Sequence, residues 1–181
     1  LTAFDGFLVD QEARKITAYV DTTIYIYRAN SVTVSSGATF EVYSDPECTK
    51  AYTSPMFILF SPLTLYFKVT SEDQLSSKIY ELHMENLAAD QIPVAALSGV
   101  DGAAYVGDNV YETTIFVFVP EFTFKPVPYT GSSVKVYQGE TELEPLSDGS
   151  YTIANTGSEQ SLRLSVTSGN GENTVDYTLR I

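Results

Sequence analysis

The sequence predicts an all-β chain built as two sandwich domains in tandem, with antiparallel sheets of Greek-key type. Three observations predict it. Helix signals are almost absent. Short runs of Val, Ile, Thr, Tyr and Phe alternate with other residues and stop at Gly, Pro, Asn or Asp. The second half of the chain also repeats the first. Period-2 alternation marks strands with one buried face, and many short strands with turns between them read as a sandwich.

In chain order, residues 15–28, KITAYVDTTIYIYR, hold two alternating runs around Asp21. By alternation Tyr25 and Tyr27 are expected on the outer face, as is Tyr66 further on. Asp45-Pro46 marks a turn. Leu65, Phe67 and Val69 share one face of the next strand, with Tyr66 and Lys68 on the other. Tyr80, Leu82 and Met84 likewise oppose Ile79, Glu81 and His83. Each such run is expected to be a half-buried antiparallel strand. Later turns are expected at 147–149 and 169–171.

The repeat sets the domain organisation. Residues 65–84 align with 162–181 at a constant offset of 97, without a gap, and six of the 20 positions are identical. Most other inward positions exchange one apolar residue for another, as in Phe67/Leu164 and Met84/Ile181. Upstream, residues 40–43 (FEVY) match 134–137 (VKVY), and Thr22-Thr23-Ile24 matches Thr113-Thr114-Ile115. This predicts a domain of about seven strands over residues 1–86 and a second over 87–181. The seam lies in NLAADQ, and so short a linker is expected to hold the copies end to end as a two-bead rod.

Composition excludes several function classes. The 181 residues carry 10 Lys+Arg against 23 Asp+Glu, a formal net charge of −13. Nucleic acid and anionic lipid need clustered cations, so neither is expected as a partner. No apolar run is long enough for a membrane-spanning helix, and no membrane insertion is expected. One His, one Cys and no Trp leave no His-rich metal site, no intrachain disulfide and no cysteine zinc pattern. A Ser-His-Asp triad would have to use His83, and no G-x-S-x-G elbow is present. An enzyme is therefore not expected, and neither is a cofactor. Two domains of about 90 residues without staples must rest on their hydrophobic cores. Starting at Leu1, the chain reads as a piece of something longer, and as an excised piece it is expected to be a monomer.

Several motifs resemble a known family. F-E-V-Y-S-D-P-E-C-T-K (40–50), L-T-L-Y-F-K-V-T-S-E-D (63–73) and K-I-Y-E-L (78–82) are similar to the cadherin-like β-sandwich repeat, or bacterial immunoglobulin-like repeat, of bacterial cell-surface proteins. The second copy matches in V-K-V-Y (134–137), L-R-L-S-V-T-S (162–168) and Y-T-L-R-I (177–181). There are departures. The usual Gly after Glu72-Asp73 is Gln74, and Gly139-Glu140 replaces Asp45-Pro46. Neither copy carries the clustered acidic residues by which true cadherins bind calcium between domains. The resemblance implies immunoglobulin-like sandwiches and an extracellular or cell-surface location, with attachment through regions outside this chain. It implies a non-catalytic spacer, adhesion or presentation role, and it names no ligand.

Four features are weighed as sites. His83 alternates with Leu82 and Met84, so it is expected to be an exposed strand residue. Cys48 is expected to be a small buried residue under its turn, with Asp45 and Glu47 disfavouring the thiolate. Asp101 and Asp108 with Glu112, around Gly102 and Gly107, form the one loop worth testing for calcium. They lack the D-x-D-x-D-G spacing, and a solvated acidic loop is the plainer reading. The segment 116–129 carries Phe116, Phe118, Phe122, Phe124 and Tyr129 with three prolines. Residues 115–119 read as a strand apolar on both faces, which is either buried on both or exposes a patch. The prolines restrict the next stretch, from Pro120 on, to an edge or loop. Core and domain packing is the plainer reading. The alternatives are a surface for a protein partner or aromatic stacking on a cell-wall glycan.

Overall fold

The structure, a computed structural model, describes every residue except Thr2 and Asp5. The chain divides into two compact units, Leu1–Ala88 and Ala89–Ile181. Both are all-β, with sheets packed around one hydrophobic core in each unit.

Unit 1 holds β1 (Ala3–Phe4), β2 (Leu8–Asp10), β3 (Lys15–Val20), β4 (Ile24–Ile26), β5 (Val32–Thr33), β6 (Thr39–Tyr43), β7 (Met56–Ile58), β8 (Leu63–Thr70) and β9 (Ser77–Asn86). One sheet runs β2-β3-β9-β8-β6, and two short pairs, β4-β7 and β1-β5, complete the unit. A single 3-10 turn, Ala29–Ser31, separates β4 from β5. Ile16, Leu65, Phe67, Leu82 and Met84 of the large sheet cluster with Phe4, Val32 and Phe57 of the short pairs. The alternating runs deliver these residues inward as their period requires.

Unit 2 holds β10 (Leu97–Asp101), β11 (Ala104–Gly107), β12 (Val110–Glu112), β13 (Glu121–Pro128), β14 (Ser133–Gln138), β15 (Thr141–Leu143), β16 (Tyr151–Ala154), β17 (Ser161–Thr167) and β18 (Thr174–Arg180). A six-stranded sheet, β11-β12-β18-β17-β14-β15, accompanies a three-stranded one, β10-β13-β16. Phe124, Tyr151 and Ile153 of the smaller sheet pack with Val136, Leu162, Leu164, Val166 and Leu179 of the larger.

Five local expectations need correction. First, β3 is not purely antiparallel. It pairs with β9 in parallel, Ile16 opposite Leu82, while its other edge takes β2 antiparallel. Unit 2 does the same where β12 meets β18, Tyr111 opposite Leu179. Alternation sets which face is buried and leaves strand direction open.

Second, Tyr25 and Tyr27 face inward and pack on the core, while Ile24 and Ile26 are exposed. Both sets in this run are apolar enough to bury, and the core takes the larger rings. Tyr66 does take the outer side.

Third, residues 115–119 form no strand. They fold as a turn in which the Val119 amide donates to the Phe116 carbonyl at 3.0 Å.

Fourth, β13 is the middle strand of its sheet, and its proline-bearing half keeps a free edge. Its first half, Glu121 to Phe124, pairs with β16; its second half, Lys125 to Pro128, pairs with β10. The Tyr129 amide donates to the Ala96 carbonyl, so odd-numbered amides point towards β10. Pro126 and Pro128 fall on the opposite side, beyond the last residue paired with β16. Each half of the strand is thus paired on one side only, and no ladder hydrogen bond is lost.

Fifth, Cys48 is half-buried and not under the turn. It occupies a left-handed position, φ 53°, and its Sγ lies 3.9 Å from the Pro46 carbonyl. Partial burial raises the thiol pKa; Lys68 opposes this and Asp45 and Glu47 add to it.

Candidate functional site

The aromatic segment splits into two environments. Phe124 and Tyr129 are buried, so neither can belong to a surface. Phe124 stacks on Tyr151 and on the half-buried Phe122, at centroid separations of 5.7 and 5.8 Å. These rings are core because β13 turns its even residues inward between two sheets.

Phe116 and Phe118 behave differently. Both are largely exposed, as is Val117 between them. Their rings stack in parallel, 5.3 Å apart and 6° from coplanar. The loop that shows them is held from below by Asn155. Its Nδ2 donates to the Phe116 carbonyl at 3.1 Å and the Val119 carbonyl at 2.8 Å. Its backbone amide donates to the Pro120 carbonyl, and its Oδ1 accepts the Gly157 amide. Gly157 adopts φ +72°, and a Cβ there would come within 3.2 Å of Val117. One side-chain amide therefore satisfies both carbonyls of a turn that no strand pairs. A shallow cleft of about 280 Å³ opens beside the turn, lined by Thr113, Thr114, Val117, Asn155, Glu159 and Ile181. Val117 and Ile181 line this cleft beside the hydroxyl, amide and carboxylate groups of Thr113, Asn155 and Glu159.

The three acidic residues weighed for calcium do not form a cage. Glu112 accepts a hydrogen bond from Arg180 Nη1 at 3.0 Å, across the β12-β18 pair. Asp101 is exposed opposite Lys125 on β13. Asp108 occupies a left-handed turn position beside Asn109. Among the described residues, no three His, Cys, Asp or Glu side chains converge as metal ligands would. His83 is half-exposed, its Nε2 3.6 Å from Glu85.

A second surface lies in unit 1, on strands that sequence reasoning did not single out as a site. Ile24 stands opposite Ile58 and Ile26 opposite Met56, and all four side chains are exposed. Phe60, next on the same side of the chain, is exposed too. A signal existed. Residues 51–67 contain no Asp, Glu, Lys or Arg, and residues 22–40 contain only Arg28, in a chain of otherwise frequent charge. No helix among the described residues is long and apolar enough to cross a membrane.

These features belong to an all-β chain of two compact units. No protein-family model matches the chain, and no curated protein matches it in sequence. Among solved structures it is similar to Drosophila N-cadherin EC1-4, at 12% identity and a TM-score of 0.40 over 97% of this chain and 49% of that one. It is similar to the protocadherin GammaB4 extracellular domain, at 13% identity and TM-score 0.34 over 99% of this chain and 32% of that one. Extracellular domains 3-5 of Drosophila OTK match at 9% identity and TM-score 0.32, over 89% of this chain and 56% of that one. The chain thus spans less than two thirds of each.

Proposed function

We propose that this chain is a non-catalytic extracellular module, two copies of one sandwich domain serving as a spacer, adhesion or presentation element of a larger bacterial surface protein. The observation that carries the reading is the pairing of terminal strands. In each unit an early strand runs parallel to the last one: β3 with β9 from Lys15↔Glu81 to Val20↔Asn86, and β12 with β18 from Val110↔Thr178 to Glu112↔Arg180. Force applied through the two ends of a unit pulls parallel neighbours in opposite directions along their length. All hydrogen bonds of the pair are then loaded together in shear, where an antiparallel hairpin would unzip one bond at a time. That geometry suits an element that transmits tension.

The copy relationship has its own support. Leu65↔Leu82 and Phe67↔Tyr80 in unit 1 recur as Leu162↔Leu179 and Leu164↔Tyr177 in unit 2, at the sequence offset of 97. The acidic surface, at −13, favours a soluble, dispersed module.

Single-molecule pulling tests the mechanical reading. Unit 1 loaded through its ends should resist more force than unit 1 loaded through Asn86 and the β8-β9 turn. Equal forces in both directions would remove it.

The exposed Phe116/Phe118 pair supports a second reading, recognition of a cell-wall glycan or a protein partner. A glycan and cell-wall screen of the chain, with Phe116→Ala/Phe118→Ala as the control, tests it. Retention that the double variant leaves unchanged would exclude that pair as the contact.

A further inference from the structure

The outer face of the β4-β7 pair is apolar where the matching face in unit 2 is polar. In unit 2, β13 pairs with β16 in the same manner, and its outward residues are Glu121, Thr123, Thr152 and Ala154, with Thr123 and Thr152 hydroxyls bonded at 2.9 Å. In unit 1 the outward residues are Ile24 (52% exposed), Ile26 (61%), Met56 (47%) and Ile58 (54%), with Phe60 (84%) beyond them. The difference is not forced by the core, because both pairs bury an aromatic row on the inner side: Tyr25 and Phe57 in one, Phe124 and Tyr151 in the other. A sheet face that can be polar in this fold has been made apolar.

We propose that this face is a self-association surface, on which the β4-β7 pair of a second copy of the chain packs face to face. Three observations select a second copy as the occupant. The first is area. At these exposures the five side chains leave roughly 500–600 Å² in water, the upper end of what a monomer shows. Two such faces together hide roughly 1,000 Å², about what a specific interface requires.

The second is shape. Two cross-strand rows, Ile24/Ile58 and Ile26/Met56, form a flat layer of branched and unbranched aliphatics, and such layers interdigitate when sheets stack. The third is charge. A chain of net −13 repels its copies, yet the two stretches that build this face, 22–40 and 51–67, hold no carboxylate and one cation, Arg28. The face is therefore the place where two copies meet with least like-charge cost. A complementary charged partner would find little to pair with.

Sedimentation equilibrium on the full chain tests this across concentration and salt. The expected result is a reversible dimer that tightens as salt rises, because salt screens the repulsion between two acidic bodies. Ile24→Thr/Ile58→Thr, which copies the Thr123/Thr152 pattern of unit 2, should weaken the dimer at least tenfold. Thr123→Ala should leave it unchanged. If the double variant loses its native spectrum, the milder Ile26→Gln reads the same contact. A chain that stays monomeric up to about 1 mM overturns the proposal. So does a dimer indifferent to these variants, or one that salt dissociates, which would point to a charged contact elsewhere.

Discussion

Tyr25 and Phe57 face one another across the β4-β7 pair, directly in register, with ring centroids 6.2 Å apart and planes 21° from parallel. This one pairing orients the whole strand pair. Because both rings turn inward, the neighbours on either side, Ile24 with Ile58 and Ile26 with Met56, must turn out. The core of unit 1 and its exposed apolar face are therefore two consequences of the same register.

Tyr27 continues that inward row, stacked on Phe57 at 5.5 Å and edge-on to Phe4 and Phe67. Its hydroxyl is buried and meets no hydrogen-bond partner among the described residues. A buried unpaired hydroxyl costs free energy that the ring does not need. Tyr27→Phe should therefore stabilise the chain by about 1 kcal/mol, read as a higher denaturant midpoint with unchanged slope. A loss of stability would show that the hydroxyl is satisfied in solution.

Gln74 sits at φ 58°, in the left-handed region, where the alignment at offset 97 places Gly171 at φ 74°. Both turns close alike, with Gln74 and Gly171 amides donating to the Ser71 and Ser168 carbonyls. A side chain in this conformation costs about 1–2 kcal/mol. Gln74→Gly should raise stability by about 0.5–1 kcal/mol after the gain in unfolded-state entropy is subtracted. Gly171→Gln, by contrast, should lower it. Calorimetric melts of the two variants check both signs.

Asn155 holds the aromatic turn through two carbonyls. Asn155→Ala should cost about 1–2 kcal/mol and speed hydrogen exchange at the Val119 amide, whose acceptor is the Phe116 carbonyl. Exchange at Val119 as slow as in the parent would mean that the turn does not depend on this side chain.

Acid should destabilise both units through turn carboxylates, Asp73 between β8 and β9 and Asp148 between β15 and β16. Ser71 and the Leu75 amide hydrogen-bond to Asp73, and the Ser150 hydroxyl and amide to Asp148; each carboxyl is held below its usual value of 3.8. A pKa lowered on folding contributes stability that is complete above the unfolded value. It is lost as pH falls through the lower, folded one. The acid limb of the stability curve should therefore begin near pH 4, and Asp73→Asn/Asp148→Asn should flatten it. An unchanged limb in the double variant would assign acid sensitivity to other carboxylates.

Alkali should act from the other side. Burial pushes Tyr27 and Tyr111 up to about 12, with nearby Tyr177 and Tyr105 adding to the shift at Tyr111. A pKa raised on folding contributes stability that is complete below the unfolded value of 10. It is lost as pH climbs towards 12. Tyrosinate absorbance should therefore lag in the folded chain and rise together with unfolding between those values. A titration of both residues near 10 in the folded chain would contradict their burial.

Much of this protein is determined by sequence alone. Where apolar and polar residues alternate cleanly, as at Leu65, Phe67 and Val69 or Leu162, Leu164 and Val166, the buried face follows from period 2, and those residues are the core. The all-β class follows as well. Alternation loses its meaning where both sets are apolar. In the run 24–27 Ile and Tyr compete for the interior, and only the space left opposite Phe57 and Phe67 decides for the rings. In 115–119 every residue is apolar, and the segment becomes a turn because Asn155, 36 residues away from Val119, supplies its hydrogen bonds. Strand direction was equally hidden, since β3 finds its parallel partner more than sixty residues downstream. The physical reason is common to all three. A residue pattern encodes a contrast between two faces. Which neighbour a face meets is a non-local pairing, settled only when the core is assembled.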